Sequence, residues 1–279
     1  MKKRKKGRIT KILTYAMLLL FSFLFLLPFL WMLRSSLMRM DQIFILPPVI
    51  LPDPVRWENY TEAMTFIDFG RYYLNTFFIV FCTVAGTVLT SALAAFSFSR
   101  LKWKYRNLVF NILLTSMMLP FAVTMIPLFI GWKTVGAVDT YVPLILPAWF
   151  GGGAYNIFLL RQLFSTIPGA YDEAARMDGA GSFYIFSRII VPLGKPGLVV
   201  VAMFSFIGCW NDFLGPLIYL NTESKYTVAL GLRQFSGTYN AQWGLLMAAS
   251  AVAILPTLLI FFIGQKYIIG GISVTGVKG

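Results

Sequence analysis

Long uncharged runs of apolar residues recur along the chain and are separated by short charged segments. The first run covers residues 12–33, between Lys11 and Arg34. At 1.5 Å rise per residue, a helix of this length crosses the hydrocarbon core of a bilayer, which is about 30 Å thick. Further runs near residues 75–98, 108–132, 141–160, 196–220 and 244–264 meet the same criterion. The pattern therefore predicts an all-α polytopic membrane protein with six transmembrane helices.

Composition agrees with this prediction. Of the 279 residues, 58% are hydrophobic and 13% are charged. In a typical soluble domain, roughly a quarter of the residues are charged. Basic residues at the N-terminus followed by an apolar run are also found in signal peptides. However, the run is longer than the usual apolar region of a signal peptide, and no small-x-small cleavage site follows it. We expect this first helix to be retained.

The distribution of basic residues predicts the orientation. With the N-terminus inside, 17 Lys and Arg residues fall on the inner side and 7 on the outer side. Cytoplasmic segments carry such an excess, so both termini are expected in the cytoplasm of a multi-pass protein of the plasma or inner membrane. The expected parts are a basic N-terminus at 1–11, a transmembrane permease domain at 12–264 and a C-terminal tail at 265–279. The permease domain includes an external loop at 34–74 and a cytoplasmic loop at 165–195.

The composition also excludes several kinds of chemistry. The chain has no histidine, which removes histidine metal sites and Ser-His-Asp triads, and Cys82 and Cys209 lie far apart in apolar segments. No phosphate-binding loop of the form GxxxxGK[ST] is present, so the chain does not hydrolyse ATP by that route. We predict no catalytic, cofactor-binding or metal-binding residue, and therefore no enzyme.

Among the predicted spans, the only ionisable Asp, Glu, Lys or Arg is Asp212. Carriers driven by ion gradients generally place ionisable groups or dedicated ion sites near mid-membrane, although sodium sites built from neutral groups remain an alternative. The energy for active transport is therefore expected to come from a partner.

Helix-breaking and uncharged polar residues interrupt the spans. Prolines and the triplet at 151–153 predict irregular backbone, which is tolerated at membrane depth where protein or a water-filled cavity satisfies it. A translocation pathway suited to a hydroxyl-rich solute is one interpretation, and interhelical hydrogen bonding is the alternative for each residue. The candidate pathway residues are Asn111, Thr115, Asn156, Ser205 and Asn211.

The loop at 165–195 has the pattern of two short helices joined by a turn. Pro168 suits a first helical turn, and two acidic residues follow near the positive end of the helix dipole. Asp178-Gly179 predicts the break after the first helix. Ser182 is expected to cap the second helix, in which Phe183, Phe186 and Ile190 form one apolar stripe. Pro192 is expected to end it.

This loop resembles the EAA loop of the permease subunits of binding-protein-dependent ABC importers. The resemblance lies in Glu173-Ala174-Ala175-Arg176-Met177-Asp178-Gly179-Ala180, followed by Phe186, Ile190, Pro192-Leu193 and Pro196. It extends to the six-span layout, to Trp210-Asn211-Asp212-Phe213 with Pro216-Leu217, and to the end of the chain. The chain is most similar to the smaller permease subunit of carbohydrate importers of the maltose type.

The resemblance implies roles for specific residues. Glu173, Ala174, Ala175, Asp178, Gly179 and Phe186 would form the ATPase-coupling loop, with Glu173 in a charge pair, and Gly276, Val277, Lys278 and Gly279 would contact the ATPase dimer. The implied partners are a second homologous permease subunit, an ATPase dimer that uses the ATP, an extracytoplasmic solute-binding protein and a carbohydrate. The chain would bind no cofactor of its own.

Several alternatives remain. The loop has the pattern of an interfacial amphipathic hairpin too, and the protein is alternatively a permease for a non-sugar solute, an ion-driven secondary carrier or a membrane scaffold. The basic and aromatic stretch from Arg100 to Arg106 is assigned to anionic lipid headgroups rather than to nucleic acid, because it joins two spans on the inner side.

Overall fold

The computed structural model describes residues 2–237 and 241–275, and helices dominate these residues. The only β structure among them is an isolated bridge between Ser236 and Ala241. The prediction of an all-α protein is confirmed. In chain order the α-helices are α1 Lys2–Ser36, α2 Met40–Ile43, α3 Glu58–Phe66, α4 Phe69–Arg100, α5 Arg106–Ser116, α6 Phe121–Thr134, α7 Val142–Ile145, α8 Ala154–Thr166, α9 Ala170–Met177, α10 Ser182–Tyr184, α11 Val191–Leu193, α12 Lys195–Trp210, α13 Leu214–Tyr219, α14 Val228–Gly231, α15 Trp243–Ala253 and α16 Leu255–Thr275.

Four helical segments in this part of the chain are each long and apolar enough to cross a membrane. They are Thr10–Ser36, Phe69–Arg100, Val142–Thr166 and Trp243–Ile268. Two further pairs meet the criterion only when taken together: α5 with α6, bent by 98°, and Ser182–Leu193 with α12, bent by 77°. The predicted six-span membrane fold is confirmed, with two of its helices bent.

The third span, expected at 108–132 with irregular backbone at its prolines, is sharply bent. Helix α5 ends at Ser116, and α6 begins only at Phe121, after Pro120 in an extended conformation. Proline lacks an N–H group and disfavours helical geometry at the residue before it, so the chain bends here although its hydropathy stays high.

The fifth span also ends earlier than the expected residue 220. Helix α12 stops at Trp210, and Asp212 lies in the turn that follows. The Asp212 Oδ1 atom accepts a hydrogen bond from the Gly215 N–H at 3.0 Å, within the first turn of α13. A carboxylate that bonds nearby main-chain groups competes with continuation of a helix, so the polar pair Asn211-Asp212 separates α12 from α13.

Two compact units make up the described residues. The first combines those of Met1–Phe69 with those of Leu232–Ile254, and α15 packs there against α1 and α3. In this unit the buried Asn59 amide donates to the carbonyls of Ser36 and Met38 at 2.9 and 2.8 Å. These bonds satisfy carbonyls where α1 ends and therefore hold α3 against it.

The second unit combines the described residues of Gly70–Gly231 with those of Leu255–Gly279. Helix α12 packs there along α16. Its main hydrophobic core joins α4 and α8 to the loop that follows α9, and consists of Ala92, Ala95, Phe96, Leu160, Phe164, Ile185, Phe186, Ile190 and Val201.

The triplet Gly151-Gly152-Gly153 forms the break before α8. All three residues have positive φ, at +109°, +65° and +87°. A Cβ on Gly152 would lie 2.5 Å from the Thr87 carbonyl oxygen and 2.9 Å from Ser91 Cβ, so only glycine allows α4 to approach this closely. The predicted irregular backbone is present at this position.

A second unusual backbone position lies in the loop between α6 and α7. Asp139 has a φ of +61°, and its Oδ1 accepts from the main-chain N–H groups of Asn221 and Thr222, both at 2.9 Å. Its Oδ2 accepts from Lys225 Nζ at 2.8 Å and from the Thr222 hydroxyl at 2.5 Å. The Lys225 hydrogen bond, followed by those of Thr222 and Asn221, lowers the pKa of Asp139. This carboxylate thus helps to hold the loop after α13, together with the Asn75 amide, which donates to the carbonyls of Ser224 and Tyr226 at 3.0 Å.

Candidate coupling site

Helix α9 carries the acidic residues at its start, as the sequence predicts. It begins at Ala170, with Asp172 and Glu173 in the first turn. Pro168 precedes the helix instead of entering it, because Gly169 is the N-terminal boundary residue. The two carboxylates therefore lie at the positive end of the helix dipole, which stabilises a helix of only eight residues.

The turn after α9 has the geometry of a glycine C-cap. The N–H groups of Gly179 and Ala180 donate to the carbonyls of Arg176 and Ala175 at 3.1 and 2.9 Å. Gly179 has a φ of +81°. This pair of bonds with a left-handed residue is the Schellman arrangement, and it confirms the break predicted at Asp178-Gly179.

The second half of the loop differs from the predicted stripe. Gly181, and not Ser182, is the residue that precedes α10, and Ile185–Ile190 forms a π-helical turn. The wider turn changes which side chains face the core. Phe183 is 75% exposed, whereas Ile185 and Ile190 are buried.

The end of this second half also lies later than expected. Pro192 is in the first turn of α11, where its missing N–H is tolerated, and the chain turns at Gly194.

Phe186 packs inside the chain. It is 7% exposed, and its ring centroid lies 5.3 Å from that of Phe96 on α4. The structure therefore places this residue, which was assigned to the coupling loop, in the core that connects the loop to α4.

The other assigned coupling residues lie at the surface. Glu173, Ala174, Asp178 and Gly179 are exposed, and Ala175 is half-buried. Among the described residues, none forms a hydrogen bond or ion pair with the Glu173 carboxylate. A groove of about 680 Å³ lies between α9 and the second half of the loop, lined by Tyr171, Ala174, Ala175, Asp178, Gly179, Ala180, Gly181, Tyr184, Arg188 and Ile189. Small side chains on one wall leave room for a partner's side chains to approach the backbone.

The C-terminal end of α4 is tied to this loop by a contact that the sequence did not indicate. Arg100 Nη1 lies 3.3 Å from Asp172 Oδ2, and Nη2 donates to the carbonyls of Phe164 and, at 2.6 Å, Ile167. The Arg100 side chain is only 8% exposed. The expectation that Arg100 contacts lipid headgroups is therefore wrong, because its charge is buried in the protein; for the exposed Lys102 and Lys104 it stays a prediction.

The side chains of the five candidate pathway residues form no hydrogen bonds with one another, although the Thr115 hydroxyl donates to the Asn111 main-chain carbonyl. Within the described chain, Thr115, Asn156 and Asn211 each donate to a main-chain carbonyl four residues earlier, at 3.0, 2.7 and 2.8 Å. Asn111 and Asn211 are exposed, and Ser205 is half-buried. These bonds are local, so they neither build a common polar site nor hold one helix to another.

A cavity that the sequence analysis missed lies beside Asp212. Its volume is about 490 Å³, and one carboxylate faces a mostly apolar wall formed by Phe121, Leu128, Trp132, Pro143, Leu144, Pro147, Leu214, Gly215 and Tyr219. These side chains come from α6, α7, the turn after α7 and α13, all in the second unit, and their separation in sequence concealed the cluster.

Comparison with known proteins identifies the family. The family model described as "Binding-protein-dependent transport system inner membrane component" matches residues 86–274, which include the whole coupling loop. The chain belongs to this family. The permease protein NgcG of the diacetylchitobiose uptake system of Streptomyces coelicolor is 31% identical, over 94% of this chain and 87% of NgcG. The permease protein UgpE of the sn-glycerol-3-phosphate transport system of Yersinia pestis is 30% identical, over 83% of this chain and 84% of UgpE.

A solved structure supports the fold of this family member. The crystal structure of a bacterial ABC transporter that imports the acidic polysaccharide alginate contains a chain similar to this one, with a TM-score of 0.80 and 24% identity. The match covers 93% of this chain and 96% of that chain. The present chain is thus a multi-pass permease with the fold of an ABC importer. The predicted tail contact, at Gly276, Val277, Lys278 and Gly279, lies outside the described residues.

Proposed function

We propose that this chain is one of two permease subunits of an ATP-driven carbohydrate importer, coupled to an ATPase dimer through α9. The observation that carries the proposal is the exposed, unpaired Glu173 on a short helix with an alanine surface, in a chain without a phosphate-binding loop. Such a helix can enter a cleft on an ATPase, where Glu173 would pair with a basic residue and Ala174 would allow close contact.

The contacts of the loop explain how a force on α9 would reach the membrane helices. Ile185, Phe186 and Ile190 belong to the same core cluster as residues of α4 and α8. Close-packed interiors move as blocks rather than deform continuously, so displacement of the loop would shift these helices. The chain itself would perform no covalent chemistry and hold no cofactor.

The carbohydrate assignment is supported by chemistry and by a relative. The uptake system of NgcG carries diacetylchitobiose by its name. In the present chain, the cavity beside Asp212 offers a carboxylate that can accept hydrogen bonds from hydroxyl groups, and aromatic side chains including Trp132 and Tyr219. The five polar pathway residues would line the remaining route. The name of UgpE, which refers to sn-glycerol 3-phosphate, supports a non-sugar solute as the second candidate.

The full assembly would contain a second homologous permease subunit and an extracytoplasmic solute-binding protein. Both termini would lie in the cytoplasm, on the side of the ATPases. An impermeant maleimide tests this orientation: in a Cys82→Ala, Cys209→Ala background, Glu173→Cys should react in inside-out vesicles and not in intact cells. Reaction at the outer face would overturn the coupling assignment.

Uptake into proteoliposomes tests the function itself. The chain is reconstituted with a second permease, an ATPase and a solute-binding protein from the same organism, and labelled N,N′-diacetylchitobiose and sn-glycerol 3-phosphate are offered in parallel. We expect uptake of the sugar with ATP on the ATPase side and none without ATP. Uptake driven by an ion gradient without the ATPase would establish a secondary carrier, and selective uptake of the phosphate ester would establish the second candidate.

A charge reversal tests the role of Glu173 in the same assembly. Glu173→Lys should abolish most of the ATP hydrolysis that the loaded binding protein stimulates, because the new ammonium repels a basic partner. Glu58→Lys is the matched control, since Glu58 is an exposed carboxylate in the first turn of α3 with the same change of charge. Retained stimulation in Glu173→Lys would contradict the assignment.

A further inference from the structure

One guanidinium group connects three helices at the C-terminal end of α4. Arg100 belongs to the last turn of α4. Its Nη2 donates to the carbonyls of Phe164 and Ile167 at the end of α8, and its Nη1 pairs with Asp172 Oδ2 in the first turn of α9. No other ion pair among the described residues involves α9.

We infer that Arg100 is a positioning residue, which fixes the coupling helix α9 to α4 and α8 so that the three move as one body during transport. This inference rests on the proposed function. It adds a specific element: α9 is joined to α4 and α8 by a directional contact in addition to the apolar core, and Arg100 and Asp172 are mostly buried beside the exposed Glu173.

The electrostatics of the contact favour this role. The carbonyl end of α8 and the carboxylate of Asp172 both attract a cation, and Arg100 lies between them. With the side chains 8% and 15% exposed, water screens this interaction little. A planar guanidinium can bond several acceptors in fixed directions, which the single ammonium of lysine cannot reproduce.

The pair is better suited to fixing geometry than to stabilising the fold. Arg100 Nε and Asp172 Oδ1 are buried without a hydrogen-bond partner. Burying charged groups with unsatisfied atoms costs free energy that the ion pair only partly offsets. The neighbouring apolar contacts, made by Ala175 and Ala180 against the core, have no preferred direction. The directional part of the connection therefore resides in Arg100 and Asp172.

A second arginine provides the control. Arg161 on α8 donates from Nε to the Phe98 carbonyl at 3.3 Å, and its guanidinium lies 4.0 Å from the ring centroid of Phe110. It therefore joins α8 to α4 and α5 in the same region, but it forms no hydrogen bond or ion pair with α9 in the described residues. Arg161→Gln removes a comparable charge without touching the proposed connection.

The test measures movement and coupling in the reconstituted complex. Spin labels at Met177→Cys on α9 and Ser165→Cys on α8, both exposed positions, report the distance between these helices in the Cys82→Ala, Cys209→Ala background. In the parent and in Arg161→Gln, we expect the distance to be the same in the nucleotide-free and ADP–vanadate-trapped states. In Asp172→Asn and Arg100→Lys, the distance between the two spin labels should differ between the nucleotide-free and the trapped state.

The coupling readout is the number of probe molecules taken up per ATP hydrolysed. The probe is whichever solute the wild type transports. The ratio should fall about fivefold or more in Asp172→Asn and Arg100→Lys, while the rate of stimulated ATP hydrolysis stays above about half of the wild-type rate. The conservative variant Asp172→Glu should recover most of the ratio.

The outcomes separate the two proposals. Absence of ATP-driven uptake in the wild type would refute the proposed function. ATP-driven uptake in the wild type, combined with a normal ratio and an invariant distance in Asp172→Asn, would refute the role of Arg100 alone. Failure of Asp172→Asn, Asp172→Glu and Arg100→Lys to assemble would also overturn it, because the pair would then serve folding.

Discussion

The Met203 side chain on α12 lies directly against the bare backbone of Gly264 on α16. Met203 is buried, and a Cβ built on Gly264 would overlap its sulfur atom. Helix–helix interfaces in membranes commonly use small residues for such close approach. Glycine at this position therefore leaves space for the Met203 side chain between the last helix and α12.

Gly264→Ala should lower the stability of the chain by about 1–3 kcal/mol, because the added methyl group forces Met203 out of a filled interface. Gly208→Ala is the control: it lies on α12, and a Cβ there meets no atom within 4 Å. Thermal unfolding of the purified variants should show a decrease for Gly264→Ala only. Equal melting temperatures would contradict the tight packing.

Gly152→Ala should destabilise the chain more than Gly136→Ala. Both glycines have a positive φ, +65° and +70°, so both substitutions carry the backbone cost of about 1–2 kcal/mol. A Cβ at Gly152 would also collide with the Thr87 carbonyl oxygen, whereas a Cβ at Gly136 has no atom within 4 Å. Measured unfolding free energies that agree for the two variants would exclude the collision.

Gly179→Val should weaken coupling, and Gly179→Asn should largely preserve it. A Cβ at Gly179 has free space, so the cost arises only from the φ of +81°, which asparagine tolerates better than a β-branched residue. Stimulated ATP hydrolysis and uptake of the reconstituted variants give the measurement. If both variants behave alike, the left-handed turn is not required for coupling.

Asp139→Asn should remove a pH-dependent part of the stability. The pKa of Asp139 is lowered in the folded chain, chiefly by Lys225, so the stabilisation is present above the unfolded pKa of about 4 and is lost as the pH falls below it. Asparagine fits the positive φ and retains an acceptor for the main-chain donors. The difference in melting temperature between wild type and variant should therefore be constant from pH 7 to 5 and decrease below about pH 4. A pH-independent difference would contradict this assignment.

The membrane fold could be predicted because span length and charge distribution are local properties of the sequence. The turn at Asp178-Gly179 could be predicted for the same reason, since its bonds join residues only a few positions apart. The break near Pro120 lies at one of the prolines that predict irregular backbone, but hydropathy averaged over a window gives no measure of the bend. The π-helical turn at Ile185–Ile190 has no periodicity signal of its own; Phe186 and Ile190 of the predicted apolar stripe are buried, and Phe183 is exposed.

The contacts that organise the site could not be predicted, because they join distant residues. Arg100 and Asp172 are 72 positions apart, and Asp139 and Lys225 are 86 apart. The only available signal at Arg100 was its place at the inner end of a span, which equally suits an anchor to lipid. Burial of its charge distinguishes the two interpretations, and burial is a property of the folded chain.

The run of three glycines before α8 reverses the local handedness of the main chain. Because Gly151, Gly152 and Gly153 all adopt positive φ, any encoded residue with a side chain meets backbone strain there. A mutation in any one of these three codons therefore carries an energetic cost, even at Gly151 and Gly153, where an added Cβ makes only ordinary contacts.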